Sequence, residues 1–191
     1  MKCFATITVI GRDKTGVIAR VTNFLFEQKA NIEALEEAVT RGQFSMVLQA
    51  SWREGQLQPA ELRKGLNALG RELGMEMRMR LSEPGRKQRM AIMVTREAAC
   101  SEALLAAFKK GQLKQAEPVV VIGNRAGLKS IAKKHKLPFL HIPWNDRQRA
   151  EKKALRILEK HEVDFVVLAR FMKILSPDFV WRYKNKIIRH Y

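Results

Sequence analysis

Acidic residues are scarce in this chain. Its 191 residues hold 36 Lys and Arg against 19 Asp and Glu, a formal net charge of +17. The imbalance is uneven: residues 1–82 carry 12 basic and 9 acidic side chains, net +3, and residues 83–191 carry 24 and 10, net +14. Cysteine is scarce too. Cys3 and Cys100 stand far apart and form no CxxC pair, which argues against a disulfide framework or a zinc site and suits reduced thiols in the cytoplasm. No apolar run reaches the roughly 18–20 residues of a spanning helix. The opening segment, MKCFATITVIGRDKTG, meets Arg12 and Asp13 too soon to be a signal peptide. Internal repeats and low-complexity tracts are lacking. The expectation is a cytoplasmic protein without a membrane partner, long enough for one large core or two small ones.

The first 82 residues alternate in type. CFATITVI has the period-two pattern of a strand and ends at Gly11. GVIARVTNFLFEQKA places Val17, Val21, Phe24 and Leu25 on one helical face. NIEALEEAVT and QFSMVLQASW flank Arg41-Gly42, the pattern of a hairpin. PAELRKGLNALGREL opens a second amphipathic helix at Pro59, and MEMRMRL alternates methionine with charge. The order is βαββαβ, a ferredoxin-like sandwich.

SEPGRKQR, residues 83–88 with its flanks, has linker composition, and from residue 89 to 191 the rhythm is simple alternation. RMAIMVT, PVVVIGN, LPFLHIP, VDFVVLAR and KIIRHY read as strands, most of them apolar throughout. CSEALLAAFKKG, GLKSIAKKHK, RQRAEKKALRILEKHE and SPDFVWRY read as helices between them, the last with Ser176 as cap and Pro177 at its first position. Apolar strands separated by helices predict a parallel sheet covered on both faces, so a ligand belongs beyond the carboxyl ends of the strands. The predicted class is α/β: a domain over 1–82, a linker over 83–88, and part of a Rossmann-like domain over 89–191.

Two stretches carry most of the functional information. In GRDKTGVIARVTNFLFEQKANIEAL, Gly16 follows a strand and turn and opens a helix, whose first N–H groups are available to a carboxylate. The small size of Gly16 would also admit a ligand or a second subunit close to the backbone. This segment resembles an ACT domain, a regulatory module that binds amino acids or similar small acids where such domains pair. The resemblance spans about residues 3–81 and implies Asp13, Gly16, Val17, Asn31 and Ile32 as ligand or interface residues, and a homo-oligomer formed through ACT domains.

The second stretch is LARFMKILSPDFV. A bend at the carboxyl end of a central parallel strand presents backbone amides beside apolar side chains, a surface suited to a flat heterocycle. The stretch resembles the folate-binding segment of the formyltransferases. With an ACT domain ahead of it, the pattern is similar to the formyltetrahydrofolate deformylases, which hydrolyse 10-formyltetrahydrofolate to formate and tetrahydrofolate and supply formate for purine synthesis. The resemblance implies a pterin pocket lined by Phe171, Met172, Lys173, Ile174 and Leu175, with reduced folate as substrate, no further cofactor and no metal.

The resemblance has a gap. The family's Asn-x-His pair lies in a pattern close to NKIINIHHSFLP, whereas here NKIIRHY places Arg189 at the asparagine position and Tyr191 at the histidine position. The expectation is therefore a deformylase-like chain without its final third, lacking the Asn-x-His and Asp region and carrying no assigned catalytic residue. His190 would face away from Arg189 and Tyr191, since side chains alternate along a strand. His141, at the end of LPFLHIP, is a further candidate for ligand contact. Two alternatives stand beside this reading: an ACT-domain binding module that senses an amino acid, and a basic nucleic-acid binder. No helix-turn-helix, zinc-finger or stacking-aromatic motif accompanies the charge, so nucleic acid is not the expected partner.

Overall fold

The structure is a computed structural model that describes residues 2–83 and 85–190. The chain divides into two compact units, Met1–Gly85 and Arg86–Tyr191.

The first unit contains β1 (Lys2–Arg12), α1 (Val17–Glu27), β2 (Asn31–Thr40), β3 (Gln43–Arg53), α2 (Pro59–Leu73) and β4 (Met75–Ser82). Its antiparallel sheet has the order β2-β3-β1-β4. The turn joining β2 and β3 has positive φ at both Arg41 (52°) and Gly42 (75°), the twist that a two-residue hairpin requires. Alternate residues of the strands, among them Ile7, Val9, Leu48, Trp52, Met77 and Met79, point at the two helices. α1 answers with Val17, Val21 and Leu25, and α2 with Leu62, Leu66, Leu69 and Leu73. Each such side chain contributes on the order of 1.5–3 kcal/mol on burial. The Trp52 indole N–H donates to the carbonyl of Gln28 (2.9 Å), so the largest core side chain is also satisfied.

The second unit contains β5 (Gln88–Val94), α3 (Ala99–Lys109), β6 (Ala116–Gly123), α4 (Lys129–Lys134), β7 (Phe139–His141), α5 (Arg147–Lys160), β8 (Phe165–Ala169), α6 (Pro177–Arg182) and β9 (Ile187–His190). All five strands are parallel, in the order β7-β6-β5-β8-β9. The sheet grows outward from β5 in both directions, which creates a switch point between β6, β5 and β8. Strand residues alternate between two cores. Ala91, Met93, Val120, Ile122, Val166 and Leu168 pack with α5 and α6. Met90, Ile92, Val94, Val121, Val167 and Ala169 pack with α3 and α4. This double burial is why these strands are apolar throughout.

The segment predicted as one helix from Gly127 to Lys136 is shorter. A 3₁₀ turn at Ala126–Leu128 precedes α4, and the chain leaves the helix at His135 and reaches a positive φ at Lys136 (55°). α6 begins as its sequence indicates, with Ser176 Oγ accepting from the Phe179 N–H (3.2 Å) and Pro177 in the first turn. Among the described residues, no helix is long and apolar enough to cross a membrane.

Candidate functional site

The parallel strands stop where the apolar sequence stops, and the loops that follow build a crevice. Two neighbouring cavities occupy it. One, of about 260 Å³, lies between Thr95, Arg96 and Glu97 after β5, Asn124 and Arg125 after β6, and Arg170, Met172 and Lys173 after β8. The other, of about 390 Å³, adds His141, Trp144 and Asn145 after β7. Asn124, Arg125 and Lys173 border both. Gly123, the last residue of β6, fits because it has no side chain. A Cβ there would stand 2.5 Å from Phe139 Cζ and 2.8 Å from the Arg125 carbonyl oxygen.

The loop after β8 is held by several contacts. Arg170 adopts φ 53°, a left-handed conformation that costs a residue with a side chain of order 1–3 kcal/mol. Its backbone N–H donates to the carbonyl of His190 (3.2 Å), and its guanidinium Nη2 donates to Glu97 Oε1 (2.8 Å). The Met172 N–H donates to Thr95 Oγ1 (3.1 Å). Phe171 drives its ring into the core, 1% exposed and edge-on to Trp144 with centroids 5.1 Å apart. At the far end, the Ser176 N–H and Oγ–H donate to Glu151 Oε1 (2.7 Å) and Oε2 (2.5 Å), a buried carboxylate on α5.

Of the five residues expected around a pterin, Lys173 and Met172 border the cavities. Met172 is 63% exposed, and Ile174 beyond it is 77% exposed. Phe171 lies beneath the loop, and Leu175 packs against the α5–α6 core. His141 borders the larger cavity. Asp164 is at the opposite, amino end of β8, where it accepts from Arg86 Nη2 (2.9 Å) and the Arg89 N–H (2.7 Å). Tyr191 lies outside the described residues.

The crevice is electropositive. Arg96, Arg125, Arg170 and Lys173 border it against one carboxylate, Glu97, which is committed to Arg170. That hydrogen bond and charge raise the guanidinium's pKa further above its ordinary value. On α3, burial pushes the Cys100 thiol up, with the charge of Arg170 opposing, so the thiol form is favoured. Asn124 Oδ1, Trp144 Nε1 and Arg170 Nε are buried without a hydrogen-bond partner. Such atoms are uncommon in finished cores; these three border one crevice, while a further one, Asp178 Oδ1, lies on α6 outside it. Among the described residues, no group of three or more His, Cys, Asp or Glu is placed to hold a metal.

In the first unit, Gly16 has φ 88° and caps α1 without a side-chain hydrogen bond. A Cβ at Gly16 would meet nothing within 4 Å, so within this chain glycine is required by backbone conformation rather than by close approach. Asp13 donates its N–H to the carbonyl of Gly42 (2.9 Å), Val17 is buried, and Ile32 is exposed beside Asn31. Asn31 Nδ2 donates to Glu33 Oε1 (3.1 Å). Sequence reasoning did not single out Thr95, Arg96, Glu97, Trp144 or Asn145. Each follows the carboxyl end of a strand it had recognised, and that position was the available signal.

Comparison with known proteins agrees with both units. Residues 88–190 match the formyl transferase family, and residues 4–80 match the ACT domain. The chain is 32% identical over 181 residues to the formyltetrahydrofolate deformylase of Bacillus subtilis (strain 168), covering 92% of this chain and 59% of that protein. It is 33% identical over 180 residues to that of Escherichia coli (strain K12), covering 92% and 61%. The chain thus spans about three fifths of the length of these curated relatives. A solved formyltetrahydrofolate deformylase from Pseudomonas putida KT2440 superposes with a TM-score of 0.54 at 27% identity, over 97% of this chain and 67% of that one. One from Burkholderia mallei shares the fold with the same TM-score at 23% identity, over 97% and 66%. With an ACT domain preceding its parallel sheet, the chain belongs to the formyl transferase family.

Proposed function

We propose that this chain is a formyltetrahydrofolate deformylase-type protein whose crevice receives 10-formyltetrahydrofolate as substrate. The observation that carries the reading is the cationic, partly unsatisfied crevice at the switch point of a formyl transferase sheet. A reduced folate offers a flat heterocycle for backbone amides of the Lys173–Leu175 segment and carboxylates for Arg125 and Lys173. The exposed side chains of Met172 and Ile174 supply apolar cover. Phe171 and Leu175 act from below by fixing the loop.

Deformylation needs a group that polarises the formyl carbonyl and one that positions the attacking water. Among the described residues bordering the two cavities, His141 is the sole imidazole and Glu97 the sole carboxylate, and Glu97 is paired with Arg170. The proposal for the 191-residue chain is therefore binding without turnover. Calorimetry with 10-formyltetrahydrofolate should show saturable binding that weakens about tenfold or more in Lys173→Ala, while formate release stays at the blank. Formate production above the blank would overturn the second half of the proposal, and absence of binding the first.

The ACT unit suggests a second ligand. The start of α1 carries no side-chain cap and no acidic residue in its first turn, which leaves its N–H groups to a small carboxylate such as an amino acid, at a surface where two ACT units pair. Light scattering that reports a monomer would contradict the pairing.

A further inference from the structure

Outside the crevice, the charge excess among the described residues forms an ordered row on α5. α5 turns Ala150, Glu151, Ala154, Leu155 and Leu158 into the core. Arg149, Lys152, Lys153, Arg156 and Lys160 are all exposed on the other side. At 100° per residue these five cations fall within about 100° of arc, one or two per turn, along about 17 Å of helix. Lys152, Lys153, Arg156 and Lys160 enter no ion pair among the described residues, and Arg149 shares Asp146 with the helix cap. The stripe exposes no large apolar side chain to enter a lipid layer and no aromatic ring to stack on a base. A rigid row of cations matches an anion with regular spacing. A nucleic-acid duplex carries about one phosphate charge per 1.7 Å of axis over its two strands, and the stripe meets those on the side turned toward it.

We propose that the exposed face of α5 is a docking stripe for the phosphate backbone of duplex nucleic acid, bound without sequence selection. The lysines on the other face of the sheet provide the control. Lys129, Lys133 and Lys134 are also exposed, but they sit on a six-residue helix and do not form one row.

The test uses the full 191-residue chain and a fluorescein-labelled 20-base-pair duplex, followed by anisotropy between 50 and 200 mM KCl. The expected log–log slope of affinity against salt is about −4 to −5, the same for unrelated sequences. Lys152→Glu/Lys153→Glu/Arg156→Glu should weaken binding at least about tenfold and flatten the slope by about three. Lys129→Glu/Lys133→Glu/Lys134→Glu should cost less than about threefold, because it changes only the long-range field. Should the first triple variant fail to fold, Lys152→Gln/Lys153→Gln/Arg156→Gln gives the same reading at lower charge change. Equal losses from the two faces would overturn the stripe. So would absence of binding at 50 mM KCl, or tighter retention on phosphatidylglycerol vesicles than on the duplex.

Discussion

The two sheets of this chain bury their side chains differently, and the surfaces they leave open differ accordingly. The antiparallel sheet of the first unit packs α1 and α2 on one face, so a single cluster forms its core. The parallel sheet of the second unit is covered on both faces and splits its strands between two clusters. A sheet covered on both faces has no free face for a ligand, and the openings are at the strand ends. There the second unit gathers four cations and three buried polar atoms without a hydrogen-bond partner, those of Asn124, Trp144 and Arg170. The first unit offers instead a bare helix start beside a left-handed glycine.

The strongest way to break this comparison is to damage one core and watch the other. Phe171→Ala removes a buried ring that props the crevice loop against Trp144. It should destabilise the second unit by about 3–5 kcal/mol. In urea unfolding, the transition reported by Trp144 should move, while that reported by Trp52 in the first unit stays in place. A matched shift of both would mean that the cores do not act separately.

A smaller effect is expected at Gly123→Ala. The added methyl would need Phe139 or the Arg125 carbonyl to yield, at a cost of about 1–3 kcal/mol. Because Arg125 borders both cavities, the proposed folate binding should weaken with stability, measured by calorimetry beside a thermal melt. Unchanged stability would show that the β6 end is looser than its geometry implies. Smaller again is Ser176→Ala, which removes the cap of α6 and a donor to the buried Glu151. A loss of about 0.5–2 kcal/mol is expected, read from the midpoint of urea unfolding.

Much of the architecture was legible because local signals and the fold agree. Pro59 opens α2 as its sequence indicates, and the methionines of MEMRMRL all turn to one core. The helical pattern of GLKSIAKKHK outruns α4 at both ends, since its surface lysines carry helical spacing into a segment that is already turning back toward β7. At the crevice, the strand-end rule located the Phe171–Leu175 bend. It did not show which of those side chains look up and which look down, because that depends on Trp144, distant in sequence. The left-handed Arg170 was invisible for a related reason: its conformation is imposed by Glu97 and His190, whose proximity exists only in the folded sheet.

The smallest expected effect returns to the first unit. Glu33 sits at an irregularity in the β2–β3 ladder, where its carboxylate accepts from Ser51 Oγ (2.5 Å), Asn31 Nδ2 (3.1 Å) and Lys2 Nζ (3.4 Å). These hydrogen bonds, Ser51 first, hold its pKa below the ordinary carboxylate range. A depressed folded-state value means that the unfolded chain takes up the proton first. The contribution to stability is therefore present above the ordinary carboxylate range and lost as pH falls through the lower, folded-state value. Glu33→Gln should flatten that acid-side decline in the first unit's midpoint and leave the second unit's pH profile unchanged. If the first unit's acid decline is as steep in Glu33→Gln as in the parent chain, the carboxylate is not what ties β2 to its neighbours.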